Sequence, residues 1–249
     1  MKTMLKAAIL PALLLALASA AYADSITLNS AAGSSTSHAS GALQYLGYSA
    51  LNADFLANSP PLPNYVTLVA PASPSTSSAS PHTTYAIAAG VWATAITGTS
   101  WVSNSSAAGT TCSGSGCDPN SFYYYETTFT AVGGSDPYNG SISVMADDTA
   151  EVLLNGTVIV PFAIVGSDGH CAQYQPNCGG ADTVLLRDIT LLAGTNTLTI
   201  IDAQTDLNGA GVDFTVELTQ APEPSSLLLL GTGLLGLAGR LRRMFMHSR

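Results

Sequence analysis

Ala146-Asp147-Asp148-Thr149-Ala150-Glu151-Val152-Leu153-Leu154-Asn155-Gly156-Thr157-Val158-Ile159-Val160 decides the fold class. Two runs of apolar and β-branched residues flank an Asn-Gly pair, and that pair accepts the two positive φ angles of a type I′ turn. The stretch therefore reads as a hairpin with strands over Ala150–Leu154 and Thr157–Val160. On its N-terminal side, Thr84–Ala88, Ser100–Ser103, Phe122–Ala131 and Gly140–Asp147 carry the same signature. Val, Ile, Thr and Tyr alternate there, punctuated by Gly, Asn, Asp and Pro. On its C-terminal side Thr183–Thr190, Asn196–Ala203 and Gly211–Leu218 repeat the pattern. No long run with helical periodicity precedes Gln220. Short strands with turn signals at intervals of roughly 8–20 residues predict an all-β fold, an antiparallel β-sandwich.

Upstream, residues 24–64 form a segment rich in Ser, Ala, Pro and Asn. Gly33–Ser40 and Pro71–Pro81 read as loop or linker. Ala42–Tyr48 and Tyr65–Val69 have strand character, and Tyr65–Val69 is expected to join the sheet that follows. The sandwich domain is accordingly placed at residues 65–219.

The two ends of the chain are different in kind. Residues 1–23 hold Lys2 and Lys6, an apolar stretch from Ala7 to Ala18 and then small residues, the layout of a secretory signal peptide. Ala18-Ser19-Ala20 and Ala21-Tyr22-Ala23 both offer cleavage sites, and the second makes Asp24 the mature N-terminus. At the other end, residues 220–249 contain Pro222-Glu223-Pro224, an uncharged Leu/Gly run from Ser225 to Gly239, and Arg240, Arg242 and Arg243. The prolines stop any helix from running on out of the preceding domain. The run from Ser225 to Gly239 reaches about 22 Å as a helix, short of a roughly 30 Å hydrocarbon core. Snorkelling arginines make up part of the difference and hold the basic end in the cytoplasm. The expectation is a marginal transmembrane helix.

Charge narrows the partners. Between Asp24 and Gln220 fifteen acids face one cation, Arg187, a balance of −14. Such a surface repels phosphate backbones, so no nucleic acid is expected as a partner. Anionic membranes and acidic polysaccharides are disfavoured too, which leaves neutral glycans and cations.

The tail resembles the PEP-CTERM sorting signal of Gram-negative bacteria: a Pro-Glu-Pro motif, a Leu/Gly-rich span and an arginine cluster. The resemblance implies processing by an exosortase at or near Pro222-Glu223-Pro224. It also implies export to the cell envelope or extracellular space, with transient anchoring in the inner membrane. Met244 to Arg249 continue past the point where that family usually stops. The residues alone also fit a single-span anchor that is never cut.

A second resemblance covers about Tyr65 to Thr219. Trp92, Ser100-Trp101-Val102-Ser103, Tyr125–Phe129, Ala146–Gly156, Arg187–Ile200 and Gly211–Glu217 look like a galactose-binding-like jelly roll, as found in sugar-binding modules attached to glycoside hydrolases. Asn155-Gly156 and Gly194-Thr195-Asn196 shape turns in that pattern and mark no site. The fold hosts glycan binders, adhesion modules and structural domains alike.

Four sets of residues are candidates for chemistry. Cys112 with Cys117, and Cys171 with Cys178, form two close pairs, which in an exported protein predict two disulfides stapling their own loops. The alternative is a metal site using His170 with Cys171 and Cys178. Asp147, Asp148 and Asp213 are candidate ligands for a structural Ca²⁺, as is the stretch Asp202–Asn208, because hard cations take carboxylate and carbonyl oxygens. Glycan stacking needs exposed aromatic faces. Tyr123, Tyr124 and Tyr125 are consecutive, so a strand there should turn at least one outward, and Trp101 is a further candidate. For catalysis the signal is poor: His38, His82 and His170 sit in loop-like stretches with no Gly-x-Ser-x-Gly elbow. Neighbouring Asp147 and Asp148 should point to opposite faces of a strand. No catalytic residue is assigned. The expected protein is a non-catalytic envelope or matrix component that associates with exopolysaccharide. A carbohydrate-binding module with a defined glycan is the second reading, and a secreted hydrolase the third.

Overall fold

The computed structural model describes residues 24–31, 43–51, 68–87, 92–105, 120–133, 136–162, 181–204, 209–220, 231–236 and 238. In chain order its first six strands are β1 (Ser25–Asn29), β2 (Gln44–Ala50), β3 (Thr76–Thr83), β4 (Tyr85–Ala86), β5 (Val102–Ser103) and β6 (Ser121–Ala131). The rest are β7 (Tyr138–Asp147), β8 (Thr149–Leu154), β9 (Thr157–Val160), β10 (Asp182–Ile189), β11 (Gly194–Gln204) and β12 (Gly211–Gln220). They form two sheets of six. One runs β10-β7-β12-β5-β4, with β1 also paired to β12; the other runs β3-β2-β6-β11-β8-β9.

The alternation seen in the sequence becomes the layering of the fold. Ile142 and Val144 of β7, and Val212, Phe214 and Val216 of β12, point into one core with Tyr123, Tyr125 and Phe129 of β6 and with Leu198 and Ile200 of β11. The two sheets therefore pack face to face as a sandwich. β6 and β11 are its longest ladder, antiparallel from Gly194↔Ala131 to Gln204↔Ser121. Asn155 and Gly156 take φ of 50° and 78°, so the β8–β9 hairpin closes through the left-handed turn that Asn-Gly favours.

The sandwich begins earlier in the chain than Tyr65. Its compact unit spans Ser25–Thr219, and β1 and β2 each contribute to a sheet. Polar composition concealed them: Ser25, Thr27 and Asn29 face outward while Ile26 and Leu28 fill the core. Thr76–Thr83 begins within the expected linker Pro71–Pro81 and runs past its end, yet it is strand β3, paired with β2. It is an edge strand, the place in a sheet where Pro81, without an N–H, is tolerated. Of the expected strand Tyr65–Val69, only Leu68 and Val69 are described, and neither is in a strand. Leu68 instead buries itself with Leu51, Phe122, Tyr124, Ile201 and Ala203 on the side of the second sheet that faces away from the core.

The other compact unit comprises residues 1–24 and 220–249. In it Gln220 donates its N–H to the Asp24 carbonyl at 2.8 Å, and residues 231–236 are helical. Among the described residues no helix is long and apolar enough to cross a membrane. The expected signal peptide at residues 1–23, Pro222-Glu223-Pro224, Arg240, Arg242 and Arg243 lie outside the described residues, as do Cys112, Cys117, Cys171 and Cys178.

Candidate functional site

The three candidate metal ligands do not converge. Asp147 ends β7 and accepts the Trp92 indole N–H at 2.6 Å on Oδ2. Asp213, fully buried on β12, accepts the Ser30 hydroxyl at 2.7 Å on Oδ1 and the Ile96 backbone N–H at 2.8 Å on Oδ2. Both carboxylates fasten the segment 92–101 onto the outward side of the first sheet. There Trp92 and Trp101 stack at 4.7 Å between ring centroids and bury Met145 beneath them. The Trp101 indole closes the segment by donating to the Ala93 carbonyl at 2.9 Å. Asp148, the residue after Asp147, is buried between β7 and β8, where its backbone N–H donates to the Ala203 carbonyl at 3.2 Å. Among the described residues no three His, Cys, Asp or Glu side chains come together. Asp213 accepts one hydrogen bond from a protein O–H or N–H group on each oxygen, and the expected Asp147–Asp148–Asp213 calcium site gains no support from this arrangement.

The aromatic candidates are displaced as well. Tyr123, Tyr124, Tyr125 and Trp101 are all buried, at 2% exposure or less, and offer no face to a sugar. The reasoning that one tyrosine of β6 must face solvent fails because both sides of this strand are covered. Tyr123 and Tyr125 point into the core, while Tyr124 lies beneath the segment around Leu68. The Tyr124 hydroxyl donates to the Pro71 carbonyl at 2.7 Å and ties that segment down. Burial pushes its pKa up; a hydrogen bond with Ser49 works the other way, and the nearby Glu151 charge adds to the rise. Glu151 itself is pushed above its ordinary value by burial.

The sequence reading missed two features. The first is a lock of asparagines. Asn155 donates through Nδ2 to Asn196 Oδ1 at 2.9 Å and accepts the Thr197 N–H on Oδ1 at 2.9 Å. Buried Asn196 donates to the Leu192 and Gly194 carbonyls at 2.9 and 3.1 Å and accepts the Leu192 N–H at 2.9 Å. Two turns distant in sequence are thereby joined, and the signal was present: both asparagines sit in the motifs that carried the jelly-roll resemblance.

The second is an open face. Where segment 92–101 does not cover the first sheet, its outward side carries a row of hydroxyls set among Asn139, Leu185, Arg187 and Glu217. Thr183 of β10 stands opposite Ser143 of β7, oxygens 2.8 Å apart, and Leu185 stands opposite Ser141. Ser25 and Thr27 of β1 stand opposite Thr219 and Glu217 of β12. Alternation identified each strand, but only the sheet order puts these rows side by side.

Residues 220–243 match the PEP-CTERM protein-sorting motif, on the residues that suggested it. This chain thus couples an all-β sandwich to a sorting motif that marks surface proteins processed by an exosortase and delivered to the cell envelope or outside it. No curated protein matches the sequence. Solved structures similar to it include a family 35 carbohydrate binding module from an environmental isolate, at 20% identity and a TM-score of 0.31, covering 53% of this chain and 85% of that one. A β-glucosidase from Kluyveromyces marxianus is similar at 14% identity and a TM-score of 0.28, over 47% of this chain and 13% of the glucosidase. A GH31 α-xylosidase from Xanthomonas citri is similar at 12% identity and a TM-score of 0.24, over 42% and 11%. The chain spans only a small part of either glycosidase.

Proposed function

We propose that this protein is a non-catalytic component of the cell envelope or extracellular matrix, held briefly in the inner membrane by its tail and matured by an exosortase at or near Pro222-Glu223-Pro224. The sorting motif at residues 220–243 carries this reading. The sandwich is the cargo, and it works in association with exopolysaccharide. Its charge favours that partner over others: fifteen acids against Arg187 between Asp24 and Gln220 repel nucleic acid, anionic lipid and acidic glycans. The disulfides Cys112–Cys117 and Cys171–Cys178 belong to the same reading, since they form and persist outside the cytoplasm. A carbohydrate-binding module with one defined glycan is the alternative, and it requires a surface other than the buried tyrosines of β6.

Replacing Pro222-Glu223-Pro224 by three alanines in the host tests the reading. The variant is expected to accumulate in the inner membrane at the mass of the signal-cleaved precursor, while the wild-type chain reaches the outer envelope or medium. Equal export of both would count against exosortase processing.

A further inference from the structure

Asn-Gly pairs occur in the chain at Asn139, Asn155 and Asn208. Such a pair carries its own reaction. The backbone nitrogen of the glycine attacks the side-chain amide carbon of the asparagine, and the glycine has no Cβ to block the approach. The new N–C bond closes a succinimide while the C–N bond of the side-chain amide breaks and ammonia leaves. Water then opens the ring to aspartate or isoaspartate. Asn208 lies outside the described residues. Asn139 and Asn155 are both exposed, and the fold treats them differently. Asn139-Gly140 is inside β7, where Gly140 pairs with Leu186 and lies so close to the Glu217 carbonyl that a Cβ would overlap it. Held from both sides, the Gly140 nitrogen has no room to swing toward the Asn139 side chain. Asn155-Gly156 is the exposed turn of the β8–β9 hairpin, and nothing lies within 4 Å of where a side chain on Gly156 would begin. There the nitrogen is open, and it is the asparagine that is held.

We propose that Asn155-Gly156 is a site of modification by water, a deamidation guarded by Asn196, and that the lock of asparagines opens in one direction only. With Nδ2 donating to Asn196 Oδ1 at 2.9 Å and Oδ1 accepting the Thr197 N–H at 2.9 Å, the Asn155 side chain is turned onto β11. Asn196 is itself fixed by the Leu192 N–H and by the Leu192 and Gly194 carbonyls, so it does not follow when Asn155 turns away. The Asn155 amide carbon is free to meet the Gly156 nitrogen only after both bonds to β11 open. Opening of that kind is local and costs less than unfolding the sandwich. Once the reaction has run, the lock does not re-form. Ionised aspartate at position 155 keeps an oxygen for the Thr197 N–H but presents an acceptor, not a donor, to Asn196 Oδ1. Isoaspartate lengthens the backbone by one carbon in a turn built on φ of 50° and 78°. Either product adds a negative charge to an already acidic module.

The test is peptide mapping by mass spectrometry after the full chain has stood at mildly alkaline pH, folded in buffer or unfolded in urea. Asn155 of the wild type is expected to convert at least tenfold more slowly in the folded protein than in urea. Asn196→Ala is expected to raise conversion of Asn155 in the folded protein at least fivefold and to leave Asn139 unchanged. Ile142→Ala, a core change in the first sheet, lowers stability without touching the lock and should leave conversion of Asn155 at the wild-type rate. Asn155→Asp, which carries the product's carboxylate, is expected to lower the thermal midpoint. If Asn155 of the folded wild type converts as fast as in urea, the guard is overturned without recourse to any variant. Equal rates for Asn196→Ala and wild type, or for Asn196→Ala and Ile142→Ala, would overturn the part given to Asn196. An unchanged midpoint for Asn155→Asp would overturn the one-way lock.

Discussion

Asn155 and Asn196 do at the scale of single residues what loop composition could not reveal. Asn-Gly announced the turn, and the positive φ angles at Asn155 and Gly156 follow from it. The side-chain bonds to Asn196 do not follow, because they join residues whose proximity exists only once β8 pairs with β11. Asn196→Ala removes partners from the Leu192 N–H, the Leu192 and Gly194 carbonyls and the Asn155 amide. Leaving such groups unsatisfied in a buried setting should cost about 2–3 kcal/mol. Chemical denaturation of the variant beside wild type measures it; a change below about 0.5 kcal/mol would mean water replaces the lock. Asp147 and Asp213 teach a similar lesson. Carboxylates between strands look like cation ligands in a sequence, and here they hold a loop by accepting the Trp92 and Ile96 N–H groups.

At the scale of elements, strands were legible wherever Val, Ile, Thr or Tyr alternated, as in β6, β7, β11 and β12. They were hidden where one face is polar and the strand short, as in β1, or where Ser and Pro dominate an edge, as in β3. What covers a sheet was not legible at all. β6 opens on four consecutive aromatics, Phe122 to Tyr125, a run that fits burial on both faces, but only the fold shows residues around Leu68 lying over Phe122 and Tyr124. That cover has a consequence for pH. Burial holds the Glu151 pKa above its ordinary value of 4.5, so the folded state binds its proton more tightly than the unfolded chain does. The contribution of Glu151 to stability is therefore fully present below pH 4.5 and is lost as pH rises through the folded value. Glu151→Gln is expected to raise the thermal midpoint at pH 7, with the gain shrinking as pH falls toward 4. A gain of equal size at both pH values would mean that ionisation of Glu151 is not its cause.

For the whole molecule, the charge distribution and the two ends said more than any single motif. Basic residues collect in segments 1–23 and 220–249, and the exported part keeps Arg187 alone among fifteen acids. That asymmetry was readable residue by residue, and so was the sorting motif, because its three parts are contiguous. The open hydroxyl face was not, since it is assembled from four strands as distant in sequence as Thr27 and Thr219. The central claim is that residues beyond Gln220 serve as an address and are removed. Intact-mass and C-terminal peptide mass spectrometry of the protein recovered from its host's envelope or medium tests it most directly. The expected product begins near Asp24 and ends at or near Pro222-Glu223-Pro224, without the Leu/Gly run or the arginines. An envelope protein that still ends at Arg249 would contradict the account.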